Sequence, residues 1–174
     1  MHKLTFITGG ARSGKSRHAQ ELALQWSDNP IYVATSRKWD DEEFRQRIQR
    51  HRQERDHRWT CLEEEKYLSR LDIGQRIVVI DCVTLWLTNF FIDLTYDVNA
   101  CLEACKKEID ALCRKEAILL IVSNEIGMGV HAETEIGRKF TDLQGWMNQY
   151  IAARADQVLL MVSGIPVRIK GGTI

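Results

Sequence analysis

The sequence predicts an α/β fold with a mostly parallel sheet flanked by helices. Three observations carry this. Short, nearly continuous apolar runs recur along the chain, segments of helical periodicity separate them, and the first run leads directly into GGARSGKS at residues 9–16. Strands covered by helices on both faces need apolar residues on both faces. Alternation of strand and helix favours parallel pairing with right-handed crossovers, and such sheets bind ligands beyond the carboxyl ends of their strands.

The elements follow in order. Residues 4–8 make a first strand; after the glycines, Ala19, Leu22, Ala23 and Trp26 recur at helical spacing until Asp28-Asn29-Pro30 breaks the pattern. Residues 31–34 make a second strand and 76–81 (RIVVID) a third, and residues 117–123 (AILLIVS) and 157–163 (QVLLMVS) supply two more. Helices are expected over 42–55, 83–91, 99–115 and 134–155, the last with Phe140, Leu143, Met147 and Ile151 along one face. Residues 167–170 are expected as an edge strand after a turn at Gly164-Ile165-Pro166.

With 174 residues, 44% of them hydrophobic, the chain can bury one substantial core, so a single domain over 1–174 is expected. Lys plus Arg and Asp plus Glu number 24 each, which leaves no overall field to favour nucleic acid or an anionic membrane surface. Any anion site must be built locally. The five cysteines include no Cys-x-x-Cys pair and suit a reducing compartment, with Cys101 and Cys105 read as small buried hydrophobes. No apolar stretch reaches the length of a membrane span or signal peptide, so a cytoplasmic protein is expected.

Gly9, Gly14, Lys15 and Ser16 satisfy every fixed position of G-x-x-x-x-G-K-[ST], a pattern that average composition produces in roughly one chain of this length in a hundred. Its chemistry is that of a phosphate loop: glycines let backbone N–H groups converge on phosphate oxygens, and the next helix presents its positive end to the same anion. Lys15 is expected on the terminal phosphates and the Ser16 hydroxyl on Mg²⁺. Asp81, closing the run 76–81, either reaches that metal or caps the helix starting near Val83. Glu125, beyond 117–123, suits a site acid and a turn residue equally.

Arg45, Arg47, Arg50, Arg52, Arg55 and Arg58 crowd one helix-like stretch around His51, preceded by Asp40, Asp41, Glu42 and Glu43. A solvated basic face with acids at its start explains the charge alone. A second reading places His51 on one face with Phe44 and Ile48, the arginines binding further phosphates and keeping the imidazole neutral and nucleophilic. A histidine attacking an α-phosphate would form a phosphoramidate and release pyrophosphate.

Taken together, these segments resemble the bifunctional adenosylcobinamide kinase and adenosylcobinamide-phosphate guanylyltransferase family (CobU/CobP type) of cobalamin biosynthesis. The likeness runs through TGGARSGKSRHAQ, YVATS at 32–36, RIQRHRQER at 47–55, residues 59–63, the Asp81 strand end, TNF at 88–90, SNEIGMGV at 123–130 and VSGIPVRIK near the end. The resemblance implies a RecA-like P-loop NTPase fold and two reactions: phosphorylation of adenosylcobinamide by ATP or GTP, then GMP transfer from GTP onto that phosphate. It implies His51 as the guanylylated residue, with Lys15 also catalytic. Nucleotide contacts are implied at Gly9, Gly10, Ala11, Arg12, Ser13, Gly14, Lys15, Ser16, Thr35, Ser36, Arg37, Arg52, Gln53, Glu54, Arg55, Glu63 and Asp81, metal contacts at Ser16 and Asp81, and a homotrimer.

Two departures stand out. His131-Ala132 replaces the family's usual aliphatic-Pro pair, so no catalytic role is carried onto that loop, and Arg50 stands where some members have a second histidine beside the first. The rivals to this expectation are a P-loop kinase with no covalent nucleotide step and a GTP-dependent switch. The switch calls for an Asn-Lys-x-Asp guanine motif, which the sequence lacks.

Overall fold

The computed structural model describes residues 3–37 and 55–172. The helix expected over 42–55, and with it His51, Arg52, Gln53 and Glu54, lies outside the described residues except for Arg55.

Among the described residues, seven strands form one sheet: β1 Leu4–Gly9, β2 Ile31–Ala34, β3 Thr60–Glu63, β4 Ile77–Asp81, β5 Ile118–Val122, β6 Gln157–Val162 and β7 Ile165–Lys170. Their spatial order is β3-β2-β4-β5-β1-β6-β7, and every pairing is parallel except the terminal β6–β7 hairpin. The helices among the described residues are α1 Lys15–Trp26, α2 Val83–Asp93, α3 Val98–Cys113 and α4 Glu135–Arg154, with a 3₁₀ turn at Leu68–Arg70. This is the mostly parallel α/β sheet expected from the apolar runs, with the phosphate-loop motif between β1 and α1.

The two-residue period of the strands divides the core into two layers. Phe6, Val33, Val78, Ile80, Leu119 and Ile121 face one side, where Trp86 of α2, Ile109 of α3 and Leu143, Met147 and Ile151 of α4 meet them. Ile7, Tyr32, Val79, Leu120 and Met161 face the other, against Ala19 and Ala23 of α1. Small residues on α1 let that helix sit close over the central strands, which fixes the phosphate loop at its head. Cys101 and Cys105 are fully buried in the first layer, as expected of small hydrophobes.

Local chemistry sets the helix ends. Asp97 caps α3 by accepting from the Ala100 N–H at 3.0 Å, and Thr134 caps α4 by accepting from the Gly137 N–H at 3.0 Å. One expectation needs correction, and one strand was not expected. The turn before the last strand is Ser163-Gly164, both at positive φ (52° and 85°), so Ile165 and Pro166 already pair with Val162 and Met161 in β7. A two-residue hairpin of this kind needs left-handed backbone at both central positions. Strand β3 carries one aliphatic residue, Leu62, and pairs as an edge strand with β2, so no apolar run announced it.

Candidate nucleotide site at the carboxyl ends of the strands

The site begins where β1 ends. A Cβ on Gly9 would lie 2.6 Å from the Met161 carbonyl oxygen and 2.9 Å from Ser13 Oγ, so only glycine lets the chain leave β1 this close to β6. Arg12 (φ 55°) and Gly14 (φ 92°) then take left-handed backbone and turn the loop into α1. Gly14 is the N-cap of α1; no side chain caps this end and no acid occupies its first turn. The first N–H groups of α1 therefore face outward with the positive end of the helix dipole, the arrangement that receives phosphate. Lys15 is buried, its ammonium donating to the Gly10 carbonyl at 2.5 Å and to Ser13 Oγ at 3.4 Å. Ser16 follows in the first turn, and Arg12 is exposed on the loop.

The loop is braced from behind by the turn that leads into β7. The Gly164 N–H donates to the Ser13 carbonyl at 3.0 Å, and a Cβ on Gly14 would approach Gly164 Cα to 3.3 Å. No motif announces this contact, because it depends on the hairpin folding over the loop.

Asp81 stands at the end of β4, level with Ala34 of β2 and Val122 of β5. Its Oδ2 accepts from the Tyr32 hydroxyl at 2.7 Å. The N-cap of α2 is Cys82, with no side-chain cap, so the alternative of Asp81 as a helix cap is not what the structure contains. The Tyr32 ring lies under Arg55, whose guanidinium carbon is 3.8 Å from the ring centroid, and meets Trp59 edge-on. Burial, reinforced by the Asp81 charge, pushes the Tyr32 phenol well above its ordinary value, so it stays a neutral hydrogen-bond donor.

The other expected nucleotide residues cluster around the ends of β2 and β3. Thr35 is fully buried; its hydroxyl donates to the Cys82 carbonyl at 2.8 Å and accepts from the Cys82 N–H at 2.9 Å, which locks the end of β2 to the Asp81 strand. Ser36 Oγ donates to the Arg37 carbonyl. Arg37 spreads its fork over two acids, donating to Glu65 at 3.0 Å and to both oxygens of Asp93 at 3.0 and 2.9 Å. Glu63 closes β3 beside Ala34.

Beyond β5, Glu125 Oε1 accepts from the Thr8 hydroxyl at 2.6 Å and from Asn148 Nδ2 at 3.1 Å. The neighbouring His131-Ala132 departure lies on the rim of a cavity of about 400 Å³ between this loop and α4, lined also by Arg138 and Trp146.

Comparison with known proteins bears on this geometry. The chain resembles the bifunctional adenosylcobalamin biosynthesis proteins CobU of Escherichia coli (40% identical, covering 96% of this chain and 99% of that one) and CobP of Pseudomonas aeruginosa (39%, 95% and 96%). CobU of Salmonella typhimurium is 39% identical over 96% of this chain and 99% of its own. Among solved structures, the flagellar accessory protein FlaH of Methanocaldococcus jannaschii (TM-score 0.51, 13% identical, covering 98% of this chain and 80% of that one) shares the fold. So does a protein of Pyrococcus horikoshii (0.52, 11%, 98% and 87%). A family model described as cobinamide kinase / cobinamide phosphate guanyltransferase matches residues 5–169, and with a phosphate loop, an Asp-ended strand one strand away and relatives matched along nearly their whole length, the chain belongs to that family.

Proposed function

We propose that this chain is a bifunctional transferase of adenosylcobalamin biosynthesis. It phosphorylates the aminopropanol hydroxyl of adenosylcobinamide with ATP or GTP, then moves GMP from GTP onto that phosphate, giving adenosylcobinamide-GDP and pyrophosphate. The observation that carries the reading is the uncapped N-terminus of α1 behind a glycine-shaped loop, in a chain that matches relatives named as bifunctional over nearly their whole length.

In this reading the backbone N–H groups of Gly9, Gly10, Ala11, Arg12, Ser13 and Gly14 cradle phosphate oxygens. Lys15 and Arg12 offset the charge that builds on them in transfer. Ser16 and Asp81 would hold Mg²⁺. A hydroxyl and a carboxylate are the hard oxygen donors such an ion takes. When bound, the ion draws terminal phosphate charge onto itself. Thr35 and Arg37 serve the nucleotide through shape, their polar atoms being engaged with Cys82, Glu65 and Asp93. Ser36, Arg55 and Glu63, with Arg52, Gln53 and Glu54, make the remaining contacts.

His51 carries the guanylyl group. Its ring nitrogen attacks the α-phosphorus of GTP, an N–P bond forms, the bond to the bridging oxygen breaks and pyrophosphate leaves. A phosphate oxygen of the corrinoid then takes the phosphorus and the N–P bond breaks. The reading also takes the protein as a cytoplasmic homotrimer; Val162, Ile165, Val167 and Ile169, exposed at the edge hairpin, offer apolar surface to a neighbouring copy. No helix among the described residues is long and apolar enough to cross a membrane.

The test is incubation with Mg²⁺ and GTP labelled at the α- or the γ-phosphate, then denaturation. Label retained from the α position only, labile in acid and stable in base, and absent from His51→Ala, is expected. Guanylyl transfer that survives in His51→Ala sinks the covalent route and leaves a kinase without a nucleotidyl intermediate.

A further inference from the structure

Strand β5 runs between the strand that carries the phosphate loop and the strand that ends in Asp81, with Val122 level with both Ile7 and Asp81. The chain leaving β5 therefore passes between the two halves of the site. It is tied there: the Ser123 N–H donates to the Ile7 carbonyl at 2.9 Å and the Glu125 N–H to the Gly9 carbonyl at 3.0 Å. On its other flank Asn124 Nδ2 donates to Thr84 Oγ1 at 2.9 Å, at the head of α2.

Beneath Glu125 lies a polar set in an otherwise apolar layer. Thr8, Ser123, Gln144 and Asn148 are all buried. Asn148 Oδ1 accepts from Ser123 Oγ at 2.7 Å and from Gln144 Nε2 at 3.0 Å, and Gln144 Nε2 also donates to Ser123 Oγ at 3.0 Å. That fixes the Asn148 amide, which donates to the Asn124 carbonyl at 3.0 Å and to Glu125 Oε1 at 3.1 Å. Thr8 supplies the second donor to the same oxygen at 2.6 Å. Glu125 Oε2 takes none of these bonds. A turn needs no such support, and burying four polar side chains under one carboxylate costs desolvation that an apolar contact would avoid. The arrangement holds a half-buried carboxylate by one oxygen beside the phosphate loop and leaves the other for a substrate.

We propose that Glu125 is the proton acceptor of the phosphoryl-transfer step, an assignment that rests on the proposed function. The substrate hydroxyl oxygen attacks the γ-phosphorus, the new O–P bond forms and the bond to the β,γ-bridging oxygen breaks. The nucleoside diphosphate leaves with that electron pair, and the hydroxyl proton passes to Glu125 Oε2. The guanylyl step makes no such demand, because its acceptor is an ionised phosphate with no proton to lose. Glu125 therefore separates the two activities.

The experiment compares wild type, Glu125→Gln and Glu125→Asp in two assays with GTP: phosphorylation of adenosylcobinamide, and pyrophosphate release with adenosylcobinamide phosphate. The glutamine keeps an oxygen for Thr8 and Asn148. It is expected to lower kcat for phosphorylation by roughly 10²- to 10⁴-fold, with KM for both substrates and the guanylyl rate within about threefold of wild type. Glu125→Asp, a shorter base, is expected to recover part of the phosphorylation rate, and it carries the test if the glutamine variant fails to fold. Phosphorylation unchanged in Glu125→Gln, or both activities falling in parallel in the two variants, overturns the assignment while leaving the functional reading intact. Wild type inactive in both assays overturns that reading and the assignment with it.

Discussion

The Tyr32 hydroxyl donates to Asp81 Oδ2 at 2.7 Å, from a ring that carries Arg55 on its face. One buried side chain thus joins the first described residue of the arginine-rich segment to the carboxylate assigned to the metal. Asp81 is held in one orientation, with Oδ2 taken by the phenol.

Tyr32→Phe keeps the ring under Arg55 and removes only the donor. A hydrogen bond to a charged group contributes about 1.5–3 kcal/mol, and part of that orients Asp81 for the ion, so the apparent Mg²⁺ constant should rise about three- to tenfold. Titration of Mg²⁺ against GTP binding, followed by fluorescence at fixed nucleotide, measures this. An unchanged Mg²⁺ constant would show that Asp81 needs no help from the phenol.

Gly9→Ala places a methyl group 2.6 Å from the Met161 carbonyl oxygen, and Gly10→Ala places one in open space. Overpacking of this kind costs about 1–3 kcal/mol. Urea unfolding should therefore show Gly9→Ala destabilised by that amount and Gly10→Ala close to wild type. Equal stability of the two variants would mean that the strand end is not packed against β6 as described.

Asp93 receives Arg37 and Lys66, the latter at 2.6 Å, and these hydrogen bonds hold its carboxyl below the ordinary value of 3.8. Between the lowered folded value and 3.8 the unfolded chain binds more protons than the native one. Stability from this cluster is therefore complete above about pH 4 and is lost as pH falls further. Denaturant midpoints at pH 7 and in the acid range should fall less on acidification in Asp93→Asn than in wild type. The same acid loss in both would place the acid sensitivity elsewhere.

Much of the fold was legible because its signals are local. Five of the seven strands match expected runs to within a residue at either end, and α2, α3 and α4 start within a residue of where periodicity placed them. β3 escaped because TCLE owes its extension to pairing with Tyr32 and Val33, a contact across nearly thirty intervening residues. The hairpin turn was misplaced because Pro166 reads as a breaker, while an edge strand tolerates its missing N–H.

The sequence by itself determined the chemistry of the phosphate loop, since glycines, lysine and serine at fixed spacing constrain backbone and charge wherever they occur. It also determined the alternating order of strands and helices. Only the tertiary structure decided which side chains support the loop: Tyr32 beneath Asp81, Gly164 behind Ser13, and Thr8 with Asn148 around Glu125. These partners lie 49, 151, 117 and 23 positions apart along the chain. Hydrogen bonds at that separation depend on strand order and helix packing, which no local pattern of residue types encodes.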